Sequence, residues 1–162
     1  MSVTPINSKL FKAVSASTTA IAIAQTLGGA GNLNLVSSSV SDGSNMDTTV
    51  TLTSTGNISG VTFTVTGTDA SGSTITEDIT GPNSNTVTGS TKFLTVTQIA
   101  ADAAVSTNTS AGFSATSGTA GIVFAGGTRV RGLHGVSSST AGALIIRDGS
   151  QSGTKLLEID TP

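Results

Sequence analysis

In two stretches, residues 50–53 and 61–66, the chain alternates apolar residues with threonine. Val61, Phe63 and Val65 share one parity and Thr62, Thr64 and Thr66 the other, the two-residue period of a strand with one face in a core and one in solvent. Val50 and Leu52 alternate with threonines in the same way. "GTDASGS" then turns the chain, and the segment from Ile75 to Ile79 is predicted to return antiparallel. One residue resists this pattern. Glu77 shares the parity of Ile75 and Ile79, so it requires either a bulge near "TED" or an edge strand with its charge turned inward.

Upstream, Ile21 and Ile23 and then Leu33 and Leu35 alternate around "GGAGN", which predicts strands flanking a turn. Downstream, "TKFLTVTQI" and "AAVSTNTS" predict one strand each. "GIVFAGGTRVRGLHGVSSSTAGALIIRDGSQSGTKLLEID" predicts about four more, joined by short Gly/Ser turns. Short strands spaced about ten residues apart imply an all-β chain, an antiparallel β-sandwich or barrel; the alanines around Ile21 and Ile23 also permit a helix there, and no other segment predicts one. The expected organisation is an N-terminal arm at 1–16, a sandwich at 17–114 and a smaller C-terminal β-sheet at 115–162, with the glycine-rich Gly112–Gly121 as the boundary. The last segment holds few large apolar side chains for its length. It is expected to pack on the sandwich or on a neighbouring subunit.

Composition sharpens this picture. Only 10% of the 162 residues are charged, against about 25% in ordinary globular chains, while mean hydropathy is +0.22. A sparsely charged surface of this kind suits a protein partly covered by partners. The chain has no cysteine, which excludes disulfides, thiolate metal sites and cysteine nucleophiles. Net charge is −2 and Trp and Tyr are absent, so a basic, aromatic-studded face for nucleic acid is not expected. No apolar run reaches bilayer length, and "AVSASTTAIAIA" is interrupted by Ser and Thr, unlike a signal-peptide core. Charge is also unevenly distributed. From Ala13 to Thr91 there is no Lys or Arg, whereas Asp42, Asp47, Asp69, Glu77 and Asp78 all lie there. Basic residues fall at Lys9, Lys12, Lys92, Arg129, Arg131, Arg147 and Lys155, an arrangement suited to contact with complementary surfaces, copies of the chain included.

Candidate chemistry is thin. His134 is the single histidine, and a hydrolytic triad would pair it with Ser150 or Ser152 and with Asp148. "DGSQSG" lacks the G-x-S-x-G spacing and the strand-to-helix elbow of such a nucleophile, so it reads as a turn. Glu77 and Asp78 are adjacent and face opposite sides of a strand, which prevents direct cooperation. Asp148, Glu158 and Asp160 are not brought near them by any sequence feature. "LGGAGN" has no Lys-Ser/Thr and no following helix, unlike a phosphate loop. "SDGSNMD" offers Asp42, Asn45 and Asp47 without the closing Glu of a calcium loop. No enzyme, metal or cofactor is expected. The residues expected to form interfaces are Lys9, Phe11 and Lys12 in the arm, with Arg129, Arg131, His134 and Arg147 near the C-terminus.

The stretches "TSTGN", "SGVTFTVTGTDASG", "ITEDITGPN" and "TKFLTVTQI", followed by "RGLHGVSSSTAGALIIRDGSQSGTKLLEIDTP", resemble modules of virion structural proteins of tailed bacteriophages. Together they cover most of the chain beyond residue 47. The resemblance implies an assembly role on the capsid exterior, as a decoration or cement protein that binds the major capsid protein. It also implies association with copies of itself, for instance as a trimer, and no catalytic residues. A tail, neck or baseplate component, or a host-facing adsorption or glycan-binding module, is the alternative that it leaves open.

Overall fold

A computed structural model describes residues 15–38, 47–115, 133, 142–148 and 153–161. Among these residues every regular element is a strand. The chain forms two compact units, Met1–Ile122 and Val123–Pro162.

In the first unit the strands are β1 (Ser17–Leu27), β2 (Gly31–Asn32), β3 (Thr48–Ser54), β4 (Thr62–Thr68), β5 (Thr74–Thr80), β6 (Thr86–Phe93), β7 (Thr95–Ala101) and β8 (Val105–Phe113). They form two four-stranded sheets, ordered β1-β8-β3-β6 and β2-β7-β4-β5, and every pairing is antiparallel. Ile21, Val50, Leu52, Phe93, Ala111 and Phe113 from one sheet meet Phe63, Val65, Ile79, Val96 and Ile99 from the other in a single core. The unit is therefore a β-sandwich. Alternation is strict in the central strand β4. Along β4, Phe63 and Val65 are fully buried while Thr62, Thr64 and Thr66 are half-exposed.

Three expectations need correction. "TKFLTVTQI" is not one strand, because Phe93 ends β6 in the first sheet and Thr95 starts β7 in the second. At the crossing, the Leu94 N–H donates to Thr68 O at 2.7 Å. Apolar alternation persists through the crossing because Phe93 and Val96 both face the same core from opposite sheets. Ile21 and Ile23 do not share a face either. Ile21 and Ala22 are buried and Ile23 is 59% exposed. The β1–β8 ladder shifts register between Ser17 and Ala22 and again between Ala22 and Gln25, and each irregularity resets which side a residue faces.

The strand expected at Leu33 and Leu35 is also displaced: β2 is Gly31–Asn32, inside the expected "GGAGN" turn, and Leu33 and Leu35 follow it. Residues 28–30 alone carry the chain from β1 of one sheet to β2 of the other. Beyond β2 the chain returns alongside β1, where the Val36 N–H donates to Ile21 O at 2.8 Å. The β4–β5 turn is built on Asp69. Its Oδ1 accepts from the Ser71 N–H at 2.8 Å, the Ser71 hydroxyl at 2.6 Å and the Ser73 N–H at 2.9 Å. Gly72 takes a positive φ of 86° there, a conformation that costs glycine little.

The second unit contributes β9 (Gly142–Arg147) and β10 (Lys155–Thr161), an antiparallel pair.

Full burial of Phe63 on a core strand sets its expected cost. Phe63→Ala should lose about 3–5 kcal/mol of stability. Thr64→Ala, on the opposite face, should lose under about 1 kcal/mol. Denaturant unfolding of both variants checks the register, and equal losses would contradict it.

Candidate functional site

The polar groups of the sandwich are mostly spent on its own backbone. Glu77 is the clearest case. The β4–β5 ladder runs without a shift from Thr62↔Thr80 to Thr68↔Thr74, so no bulge moves Glu77 to the solvent side. Instead β5 is an edge strand and turns this charge inward. There Oε1 accepts from the Ser90 N–H at 2.5 Å, the Ser90 hydroxyl at 2.8 Å and the Thr91 N–H at 3.1 Å.

Those two N–H groups lie where β6 leaves its own ladder. Pairing with β3 steps from Thr49↔Lys92 to Thr51↔Thr88, so β6 carries extra residues across Gly89, Ser90 and Thr91. Glu77 thus joins the edge of one sheet to the bulged edge of the other. Gly89 leaves the room: a Cβ there would collide with the Glu77 carboxylate. The remaining oxygen, Oε2, is buried with no hydrogen-bond partner.

A second side chain does the same on the opposite flank. Gln25 of β1 receives the Asn34 N–H at 2.9 Å through Oε1 and donates to Asn34 O at 3.1 Å through Nε2. Just past the end of β7, Asp102 accepts the N–H of Thr62, the first residue of β4, at 2.8 Å. Asp78 faces outward and accepts from the Thr64 hydroxyl at 2.7 Å. Glu77 and Asp78 therefore lie on opposite faces, as adjacent strand residues must, and do not form an acid–base pair.

Two carboxylates are electrostatically distinct. Burial pushes the Asp47 carboxyl above its ordinary value of 3.8, opposed by the Lys92 charge and its own backbone N–H and reinforced by Asp69. Its Oδ1 has no hydrogen-bond partner. The Ser71 hydroxyl, with the N–H groups of Ser73, Ser71 and Gly72, holds Asp69 below 3.8 against the opposing effect of burial. Among the described residues no group of three or more His, Cys, Asp or Glu is placed to hold a metal ion.

Of the expected interface residues, Arg147 is described. It ends β9 opposite Lys155 of β10, and its Nη1 donates to Gly153 O at 3.1 Å. The Asp148 N–H donates to Thr154 O at 2.9 Å. "RDGSQSG" is accordingly the connection of a hairpin, with both ends tied to its base. Lys9, Phe11, Lys12, Arg129, Arg131 and His134 lie outside the described residues, as do Ser150, Ser152, Asp42 and Asn45.

Sequence reasoning did not single out the hairpin's own side chains. Leu144 and Ile145 are each 38% exposed, Leu157 44% and Leu156 64%. A signal was present, since "ALII" and "LLEI" place aliphatics on both parities of short strands. No protein-family model, curated protein or solved structure matches this chain.

Two measurements follow from these carboxylates. Glu77→Ala strands the N–H groups of Ser90 and Thr91, and should cost about 1–3 kcal/mol. Hydrogen exchange at those two amides should accelerate, and unchanged exchange would contradict the assignment. For Asp69, a depressed folded-state value means that its stabilisation is complete above 3.8 and is lost as pH falls through the lower, folded-state value. Acid unfolding of Asp69→Asn should therefore lose less stability below that range than the parent chain does.

Proposed function

We propose that this chain is a structural component of a tailed-phage virion, a decoration or cement protein that binds the outside of the major capsid shell and stabilises it. The observation that carries the reading is the resemblance of the β3–β8 stretches and the hairpin tail to virion modules. The structure is compatible with it in a specific way. The sandwich's carboxylates Glu77, Asp69 and Asp102 are engaged in holding backbone, and the exposed aliphatics gather on the C-terminal hairpin. Both properties suit a protein that acts through its surfaces. The expected partners are the major capsid protein and copies of the chain itself, with Lys9, Phe11 and Lys12 of the arm and Arg129, Arg131, His134 and Arg147 as the contact residues to test first.

Contact of this kind gains chiefly from apolar burial and from backbone pairing at sheet edges, which salt screens little. Particles lacking the protein should assemble but rupture at lower temperature or osmotic stress, and moderate salt should not strip it from intact particles. Particles that are equally robust without it but fail to adsorb to cells would replace the cement reading with an adsorption role.

A further inference from the structure

β6 carries two extra residues where Glu77 grips it. From Thr49↔Lys92 to Thr51↔Thr88, β3 advances by two residues and β6 by four. Side chains alternate along a strand with a period of two, so a slip of one residue turns every inward side chain outward. A slip of two does not. Val87 and Phe93, on either side of the bulge, both pack towards the core. The hydrophobic pattern therefore leaves two registers open to the first half of β6.

The second register continues the Thr48↔Phe93 and Thr49↔Lys92 pairing without interruption. Thr88 then lies opposite Thr53, where Thr86 lies in the structure, and Ser90 lies opposite Thr51, where Thr88 lies. The exchange is nearly like for like. The Thr53 and Thr86 hydroxyls meet at 2.8 Å, and Thr88 brings the same group to the same place. The two extra residues pass into the β5–β6 connection, 81–85. Ser84 in that connection has a φ of 52°, and among the described residues no other non-glycine residue has a positive φ. L residues avoid that conformation, and added chain length gives Ser84 room to leave it.

Two features oppose the slip. Val87 lies opposite Leu52 and packs against the core, and the second register puts Gly89 in its place. Glu77 is the other. Its Oε1 accepts the N–H groups of both Ser90 and Thr91, at 2.5 and 3.1 Å. Successive N–H groups of a regular strand point to opposite edges, so one acceptor cannot take two in a row. Glu77 therefore grips the bulge itself.

We propose that β6 is a two-register strand and that Glu77 selects between its registers. With Glu77 engaged, the extra residues stay at 89–91 and the two sheets are tied at this flank. With Glu77 released, they migrate to the β5–β6 connection and the β3–β6 ladder closes up. The flank is then untied, while each side chain of β6 keeps its face. The device does not rest on the virion reading.

Cysteine pairs read the two registers, since the chain has no cysteine of its own. Thr53→Cys with Thr86→Cys reports the observed register. Thr53→Cys with Thr88→Cys reports the other, because these positions stand diagonally in the structure, about 7–8 Å apart and beyond disulfide reach. Without further change the first pair should oxidise at least ~10-fold faster than the second. Glu77→Leu should speed the second pair at least ~10-fold, and Glu77→Gln, which keeps an acceptor, less than about 3-fold. Val87→Ala removes the other restraint with Glu77 in place, and should speed the second pair too. Oxidation traps a minority register, so it reads the slip even where the bulged form predominates. Thr66→Cys with Thr76→Cys, across the β4–β5 ladder, should close at one rate in every background. A second pair that stays slow in both Glu77→Leu and Val87→Ala would overturn the proposal. So would equal acceleration by leucine and glutamine, or acceleration only where the Thr66/Thr76 pair slows, which is general unfolding.

Discussion

The sandwich depends on how backbone groups are satisfied where its sheets end. The two sheets belong to separate ladders, so each flank carries backbone N–H and C=O groups that lie outside either ladder. Glu77 answers this on the β5/β6 flank by taking two N–H groups of the bulged strand, and Gln25 answers it near the β1/β2 turn with a two-point contact to Asn34. Core packing follows from these ties. With Glu77 directed inward, Ile75 and Ile79 of the same strand face the interior, and Ile79 joins the core. With the bulge fixed across Gly89–Thr91, Phe93 reaches full burial at the end of β6.

The same features explain which parts of the fold were legible in the sequence. Phe63 and Val65 sit on β4, whose ladder to β5 is regular, and Val61 just precedes it, so parity alone assigned them to the core. Glu77 announced itself by violating that parity, and the edge position of β5 resolves the violation. Ile23 could not be placed, because the irregular β1–β8 register breaks the relation between sequence parity and face. The chain crossing at Leu94 was hidden for a different reason: two strands of opposite sheets both point into one core, so their apolar spacing reads as continuous. Gln25 left no signal, since a glutamine among small residues carries no pattern.

Much the same holds for the candidate site. Asp-Gly and the serines of "RDGSQSG" pointed to a turn, and Arg147, Asp148, Gly153 and Thr154 form the tied base of a hairpin connection. Across that hairpin Leu144 lies opposite Ile159 and Ile146 opposite Leu157, while Ile145 lies opposite Glu158 and Arg147 opposite Lys155. This two-faced character depends on the register shift between Lys155 and Leu157, which sequence parity does not disclose. Without it, Lys155 would stand among the leucines. Polar chemistry thus serves the architecture of the sandwich, while aliphatic surface is left outward on the second unit.

The central claim is that Glu77 ties the edge of one sheet to the bulged edge of the other. Native-state hydrogen exchange of Glu77→Gln, which keeps a carbonyl acceptor, and Glu77→Leu, which keeps none, tests it most directly. Protection of the β6 amides from Gly89 to Thr91 should fall in the leucine variant and be largely kept in the glutamine variant, while β8 amides change in neither. Equal protection of those β6 amides in the leucine variant and the parent would contradict the account.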